Sequence, residues 1–325
     1  MAELTPGKIR GLTTTSSPSG IFTILAIDHR DSMRVVLDPE NPQGIPAGEL
    51  TATKLWLLEE LGKEATGVML EPEYSAAQAI SARSLPGTVG FLAAVEAQGY
   101  LGDPAARQTS LLADWGVAKA KRIGASGIKL LVLYRPDSDA ADGQDELIRE
   151  VVADCATHDI PLFLEPVAYV TEDGMSTDSP DFAAKRRQIV VESVRRLGAL
   201  RPEILKVQFP IDTRFNEDRA EWADACAELD ETSPVPWALL SGGDPYELFR
   251  EQVRVACDAG ASGFMVGRAL WSSAVTAPEA ERRRLIDDVL RPRFRELAAI
   301  AQEHGRGWDA IHAGPTADET WYQTY

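Results

Sequence analysis

Short apolar runs alternate along this chain with longer stretches whose apolar positions recur at helical spacing. The runs are Ile24–Asp28, Gly67–Glu73, Val89–Val95, Gly127–Tyr134, Pro161–Val167, Glu203–Pro210, Trp237–Gly243 and Gly263–Leu270. Helical stretches lie between most of them: Ala47–Glu64, Ser110–Ile123, Gln144–His158, Asp181–Leu200, Asp218–Leu229 and Asp244–Ala259. Several runs are almost continuously apolar, such as Lys129-Leu-Leu-Val-Leu-Tyr134. Strands covered on both faces read this way, as in a parallel sheet wrapped by helices. Eight strand–helix alternations predict an α/β fold, the (β/α)8 TIM barrel, rather than an open doubly wound sheet. Lys121-Arg-Ile-Gly-Ala-Ser-Gly127 and Ala256-Cys-Asp-Ala-Gly-Ala-Ser-Gly263 repeat one phrase, a helix end, a glycine stop and a strand start.

Some segments read less sharply. Gly87 to Tyr100 fits a third strand or a short helix. Leu37–Gly48, rich in proline and glycine, reads as a long loop after the first strand, and the polar Thr171–Asp181 as a loop after the fifth. Loops after strands form the catalytic face of a barrel. Arg291–Tyr325 starts as a helix and ends in a polar tail, either disordered or packed on a neighbouring subunit. Residues 1–325 are thus expected to form one barrel domain with an N-terminal extension and a C-terminal tail.

A barrel presents its chemistry at the C-terminal ends of its strands. The polar residues there are Asp28, His29 and Arg30 after the first strand, Glu71 and Glu73 on the second, Lys129 on the fourth and Glu165 on the fifth. Lys206 and Gln208 lie on the sixth, Ser241 follows the seventh and Arg268 is on the eighth. Lysine is rarely buried without a reason. In a barrel lumen, desolvation and a second cation such as Lys129 would favour the neutral, nucleophilic amine of Lys206. Glu165 could act as general acid/base or hold Lys129 charged, and Asp28 has the same two readings. Ser241-Gly242-Gly243 and Gly267-Arg268 offer exposed backbone N–H groups and a guanidinium fork where this fold recurrently binds phosphate. Neither stretch matches a nucleotide fingerprint, so no cofactor is implied.

Composition narrows the class. The net charge of −17 disfavours nucleic acid as a partner, while a few basic pocket groups can still hold an anionic small molecule. No apolar run is long enough to span a bilayer, and Met1–Gly11 lacks the layout of a signal peptide, so a cytoplasmic protein is expected. Cys155, Cys226 and Cys257 are odd in number and dispersed, which predicts neither disulfides nor zinc. Of His29, His158, His304 and His312 only the first falls at a strand end, and no two show ligand spacing, so no metal is expected.

Ala26-Ile-Asp-His-Arg30, Leu70-Glu-Pro-Glu-Tyr74, Gly127-Ile-Lys-Leu-Leu131, Phe163-Leu-Glu-Pro166, Leu205-Lys-Val-Gln-Phe-Pro210, Leu240-Ser-Gly-Gly243 and Gly267-Arg-Ala-Leu-Trp271 occur in one order over Gly20–Ser273. Together they resemble the class I tagatose-1,6-bisphosphate aldolase family, with the sulfofructose-phosphate aldolases as close relatives. The resemblance implies a Schiff base on Lys206, proton transfer by Glu165, and Lys129 and Asp28 around the imine and the substrate hydroxyls. It implies Ser241, Gly242, Gly267 and Arg268 at the phosphate of the ketone half, and Arg30 near the other anionic end. The expected reaction cleaves a ketose bisphosphate to dihydroxyacetone phosphate and an aldehyde, and barrels of this kind commonly form homo-oligomers. Two positions depart from the family: His29 stands where glutamine is usual, beside the distal end of the substrate. Gln208 stands where glutamate is usual, which removes a negative charge near Lys206 and should ease its deprotonation. A sulfofructose-phosphate aldolase, another Schiff-base lyase or transaldolase, and a non-catalytic sugar-phosphate-binding barrel remain alternatives.

Overall fold

The computed structural model describes residues 2–172, 174–323 and 325. Met1, Asp173 and Thr324, which fall in the ranges read above as extension, polar loop and tail, lie outside the described residues. Eight parallel strands close into a barrel in sequence order. They are β1 (Phe22–Ala26), β2 (Gly67–Leu70), β3 (Gly90–Ala94), β4 (Gly127–Leu133), β5 (Leu162–Val167), β6 (Ile204–Val207), β7 (Trp237–Leu240) and β8 (Gly263–Val266). Gly90–Ala94 is a strand, paired on one side with β2 and on the other with β4, which settles the ambiguous third segment.

Side chains alternate along each strand, so each strand supplies two cores. One row, with Ile128, Leu130 and Val132 of β4, packs outward against the helices. The other row fills the barrel: Phe22, Ile24 and Ala26 of β1, Met69, Leu92, Phe163, Ile204, Ala238 and Met265. Following that inward row towards the C-terminal ends of the strands leads to Lys129, Glu165 and Lys206. A barrel of eight strands has an interior just wide enough to be filled by side chains, so charged groups there sit on an apolar floor with little water.

The lower end is closed by the helix Pro6–Thr15, whose Leu12 joins the inner core together with Leu4 and Trp308. Ala2–Glu3 pairs in parallel with His312–Ala313. The C-terminal segment therefore docks in part on the chain's own N-terminus, which differs from both expectations for the tail; beyond Gly314 its residues are largely exposed.

Three sequence expectations change. The helix read over Ser110–Ile123 occupies only Val117–Arg122. The segment before it is stapled to the end of β3, with Leu112 N–H on the Val95 carbonyl (2.9 Å) and Trp115 Nε1–H on the Ala94 carbonyl (2.9 Å). The region after β1 carries a helix, Asp31–Leu37, and a 3-10 turn, Pro42–Gly44, where a plain loop was expected. Several strands end earlier than their apolar runs: β2 stops at Leu70, and Arg268–Leu270 already belong to a helix. Asp28, His29, Arg30, Ser241 and Arg268 thus sit just past the strand ends, whereas Lys129, Glu165 and Lys206 lie within β4, β5 and β6.

Gly11 gives a stability test. A Cβ there would stand 2.2 Å from the Ser126 carbonyl oxygen and 2.6 Å from Pro161. Alanine in a helix interior normally gains up to ~1 kcal/mol over glycine, but a clash with backbone costs about 1–3 kcal/mol. Gly11→Ala should therefore lower the stability measured by urea denaturation; an unchanged or raised midpoint would contradict the tight seat of this helix.

Candidate active site

At the mouth of the barrel the inward rows of six strands converge on one charged cluster. Lys206, on β6, is 5% exposed, and its Nζ stands 2.8 Å from Glu165 Oε1 and 3.6 Å from the Met69 sulfur. Lys129, on β4, reaches three carboxylates: Glu96 at 2.6 Å, Asp28 at 2.8 Å and Glu165 Oε2 at 3.2 Å. The Leu131–Glu165 register of β4 with β5 brings the lysine strand and the glutamate strand together. Glu165 thereby lies between two ammonium groups, one at each oxygen.

The electrostatics follow from burial and from these pairs. Burial pushes the Asp28 carboxyl up, but Lys129, Lys206 and His29 outweigh it and hold the group well below the usual carboxylate range. Burial likewise raises Glu165, and Lys206 and Lys129 more than reverse it. Burial would discharge Lys129, yet Asp28, Glu96 and Glu165 keep it charged, well above an ordinary lysine. Lys129 is therefore not an uncompensated second cation pressing on Lys206, as the sequence suggested: its charge is spread over three carboxylates.

Glu96 is the partner that sequence reasoning missed. It follows β3, is buried, and besides Lys129 accepts the Leu131 N–H at 3.2 Å. It also meets Arg30, whose Nη2 lies 3.7 Å from the Glu96 carboxylate and donates to the Glu96 carbonyl at 3.0 Å, while Nη1 donates to Glu73 at 2.9 Å. The signal was available: Gly90, Leu92, Ala94 and Glu96 share one parity, but only if the segment is read as a strand.

The anion-binding candidates gather on the other side of the mouth. Gly242 and Gly243 have φ of 60° and 99°, a backbone region that glycine enters without strain. Ser241 Oγ accepts the Gly267 N–H at 3.2 Å, and Arg268 Nη2 donates to the Gly242 carbonyl at 3.1 Å. Gly267 leads into the helix Arg268–Val275, whose N-terminus points its free N–H groups at the same place. Arg268 Nε is buried without a hydrogen-bond partner, and among the described residues Arg268 forms no ion pair. Burial lowers its pKa from the ordinary arginine value, with Glu165 opposing weakly. A half-buried guanidinium without a carboxylate partner is suited to receive an anion.

Two lobes meet at the reactive pair. One, of about 220 Å³, contains Ser241, Gly242, Gly243, Gly267, Arg268 and Gln208. The other, of about 250 Å³, contains Asp28, Arg30, Glu96, Gln98, Thr109 and Lys129. His29, Ser32, Leu131, Glu165 and Lys206 line both. His29 packs edge-on against Trp271 with ring centroids 5.2 Å apart, and its Nδ1 is buried without a hydrogen bond, 3.9 Å from Asp28. A Cβ on Gly267 would touch the His29 ring at 2.6 Å, so the glycine makes room for it. Gln208 anchors the loop after β5 by accepting the Ala168 N–H at 2.8 Å. Nine of the eleven polar residues singled out in the sequence thus line one cleft; Glu73 meets it only through Arg30, and Glu71 lies apart, paired with the buried Lys54 at 2.5 Å.

Comparison with known proteins agrees with this architecture. Residues 22–273 match the family model described as DeoC/LacD family aldolase. Tagatose 1,6-diphosphate aldolase 2 of Enterococcus faecalis is 30% identical over 290 residues, 85% of this chain and 86% of that protein. Tagatose 1,6-diphosphate aldolase of Lactococcus lactis is 29% identical over 287 residues, 84% of this chain and 87% of that protein. Among solved structures, an archaeal fructose 1,6-bisphosphate aldolase superposes with a TM-score of 0.59 at 19% identity, covering 90% of this chain and 98% of that one. The fructose-bisphosphate aldolase of Slackia heliotrinireducens gives 0.61 at 15% identity over 91% and 90%. At these identities the structures speak for the fold.

His29 offers a direct reading of the site. Burial lowers its pKa from 6.5 to about 3, against the pull of Asp28. The unfolded chain therefore takes up a proton near 6.5 that the folded chain refuses until about 3, and stability falls as pH drops through that window. NMR of the ring should show no titration between pH 5 and 8, the usual histidine range. His29→Gln should flatten the acid limb of the stability profile by up to one proton; an imidazole titrating near 6.5 would contradict the desolvated geometry.

Proposed function

Because the chain belongs to the DeoC/LacD aldolase family, we propose that it is a Schiff-base aldolase in which Lys206 condenses with the ketone of a ketose phosphate. The observation that carries this reading is the buried Lys206 amine, 2.8 Å from Glu165 at the junction of an anion cradle and a polar lobe. The names of the relatives favour tagatose 1,6-bisphosphate as substrate; its cleavage between C3 and C4 would give dihydroxyacetone phosphate and glyceraldehyde 3-phosphate, and fructose 1,6-bisphosphate would give the same two products.

Ser241, Gly242, Gly243, Gly267 and Arg268 hold the phosphate of the ketone half, fixing the C2 carbonyl over Lys206. Lys206 passes a proton to Glu165. Loss of the Lys206 charge removes the strongest charge holding Glu165 ionised, which makes the carboxylate a better base as the proton moves. The neutral amine adds to C2; Glu165 protonates the resulting hydroxyl, which leaves as water, and the protonated imine remains. Glu165, again a carboxylate, accepts the C4 hydroxyl proton as the C3–C4 bond breaks. The electron pair passes into the imine, the aldehyde departs, and the enamine is protonated and hydrolysed. Asp28 and Lys129 orient the substrate hydroxyls, His29 offers a neutral ring at the junction, and Arg30 stands at the distal lobe. The phosphorylated substrate and three reduced, buried cysteines suit a cytoplasmic enzyme.

Borohydride added with the ketose phosphate should trap a covalent adduct on Lys206, read by peptide mass spectrometry, and Lys206→Ala should form no adduct and retain no cleavage. A barrel that only binds sugar phosphate would leave Lys206 unmodified. Glu165→Gln should keep substrate binding within a few-fold and lower kcat on the order of 10²–10⁴; unaltered kcat would remove Glu165 from the proton path.

A further inference from the structure

The segment between β3 and the helix Val117–Arg122 forms a hairpin over the distal lobe. Glu96 pairs with Leu111 and Leu101 with Gln108 in antiparallel bridges. Ala97 N–H donates to the Ser110 carbonyl at 2.8 Å, and Leu101 and Gln108 exchange bonds of 2.7 and 2.9 Å. The hairpin is fastened at its flank. The Arg107 guanidinium lies between two rings, 4.6 Å from the centroid of Tyr100 and 5.0 Å from that of Tyr169, and Arg107 N–H donates to the Tyr169 hydroxyl at 3.2 Å. Gln144 donates from the neighbouring helix to the Arg107 and Leu133 carbonyls at 3.2 and 3.0 Å. A loop held this way positions its side chains rather than merely shielding them.

Thr109 is the informative residue. It is 7% exposed and lines the same lobe as Lys206, Asp28 and Lys129. Its hydroxyl oxygen accepts the Leu133 N–H at 3.2 Å, and the Gln144 amide nitrogen, whose two protons go to the Arg107 and Leu133 carbonyls, lies 3.3 Å away. A threonine hydroxyl has two lone pairs and one proton. The oxygen is engaged by the Leu133 N–H, and among the described residues no acceptor receives the hydroxyl proton. A buried donor without an acceptor is costly unless a ligand supplies one.

We propose that Thr109 is a specificity-determining hydrogen-bond donor to an oxygen on the aldehyde half of the substrate, beyond the bond that is cleaved. The inference rests on the aldolase reading above. The phosphate cradle and Lys206 fix the ketone half, so the carbons after C4 extend into the lobe that Thr109 lines. The accepting atom is an oxygen on C5 or C6, either a hydroxyl or a phosphoryl oxygen. The Leu133 N–H holds the hydroxyl oxygen and leaves its single proton to the lobe, so the contact favours substrates that carry the oxygen over those that lack it.

The test compares Thr109→Val and Thr109→Ser with the wild type on a ketose 1,6-bisphosphate, the ketose 1-phosphate, and the 5-deoxy and 6-deoxy ketose 1-phosphates. Thr109→Val should lose about tenfold in kcat/KM on substrates that keep the accepted oxygen, and nothing further on the deoxy substrate that lacks it. Which deoxy substrate escapes the loss identifies the carbon; a loss confined to the bisphosphate identifies the phosphoryl oxygen. Thr109→Ser should retain the wild-type preference. An equal loss on every substrate, the mark of a merely structural threonine, overturns the proposal, as does no loss on any. If valine impairs folding, Thr109→Ala read against the same substrate pairs decides the point. Borohydride trapping on Lys206 in the wild type is run alongside: its failure would overturn the aldolase reading itself, separately from the role of Thr109.

Discussion

Two ammonium groups and three carboxylates share a small volume above an apolar floor, and the rest of the site depends on their mutual compensation. Lys129 meets Asp28, Glu96 and Glu165 within 3.2 Å, and Glu165 also meets Lys206. None of these groups could be ionised alone in that place, since an isolated buried charge costs several kcal/mol and breaking a buried pair about 3–5 kcal/mol. The cluster is not a device for stability, because an apolar filling of the same volume would serve folding as well or better. What it provides is a set of groups whose protonation states are linked: a change at Lys206 is felt at Glu165, and Lys129 limits how far Glu165 can respond. That linkage is what a reaction needing one residue to give and take protons in turn requires.

The two lobes are built on opposite principles. In the distal lobe every cation is already matched: Arg30 by Glu73 and Glu96, Lys129 by its three carboxylates. In the other, Arg268 is half-buried, with an unpartnered, buried Nε, beside two glycines in left-handed backbone and a helix N-terminus. On the proposed reading, binding energy for a phosphate is concentrated at one end of the cleft, where no bond changes. Energy gained at a non-reacting end can be used to hold the reacting carbons against Lys206. The distal lobe, with its field internally cancelled, is left to read shape and hydrogen bonding.

Much of this was legible in the sequence because a barrel strand writes its geometry in period two. The residues inward-facing low in the strand predict which residue faces inward at the top, and Lys129, Glu165 and Lys206 each continue such a row. Glu96 continues one too, in Gly90, Leu92, Ala94 and Glu96, but the segment also fits a helical reading, under which parity carries no information. The same ambiguity extended the helix at Val117 backwards over Leu111, Leu112 and Trp115. Their apolar spacing suits a helix; in the fold they staple the chain to the end of β3 through the Val95 and Ala94 carbonyls. Long-range capture of backbone groups leaves no local signature. The misjudged role of Lys129 has a similar origin. Sequence showed a second lysine near the first, whereas the sign of its influence is set by carboxylates arriving from three other strands.

The two departures from the family pattern make sense as charge arithmetic in this cluster. Asp28, Glu96 and Glu165 face Lys129 and Lys206, and Arg30 is shared between Glu96 and Glu73, four carboxylates against three cations. Gln208 bonds the Ala168 N–H through its side-chain oxygen, a contact a glutamate could also make. Glutamate there would add a further negative charge to a mouth proposed to admit a phosphorylated substrate; glutamine keeps the anchoring bond without that charge. At position 29 the packing against Trp271 and the burial of the ring keep histidine neutral, so it stands in for glutamine without altering the charge count. It differs in carrying its hydrogen-bonding atoms on a rigid ring pressed against Gly267. The substitution leaves the linked protonation of Lys206 and Glu165 intact and changes only what the junction of the two lobes can touch, which is where a family that keeps its chemistry can vary its substrate.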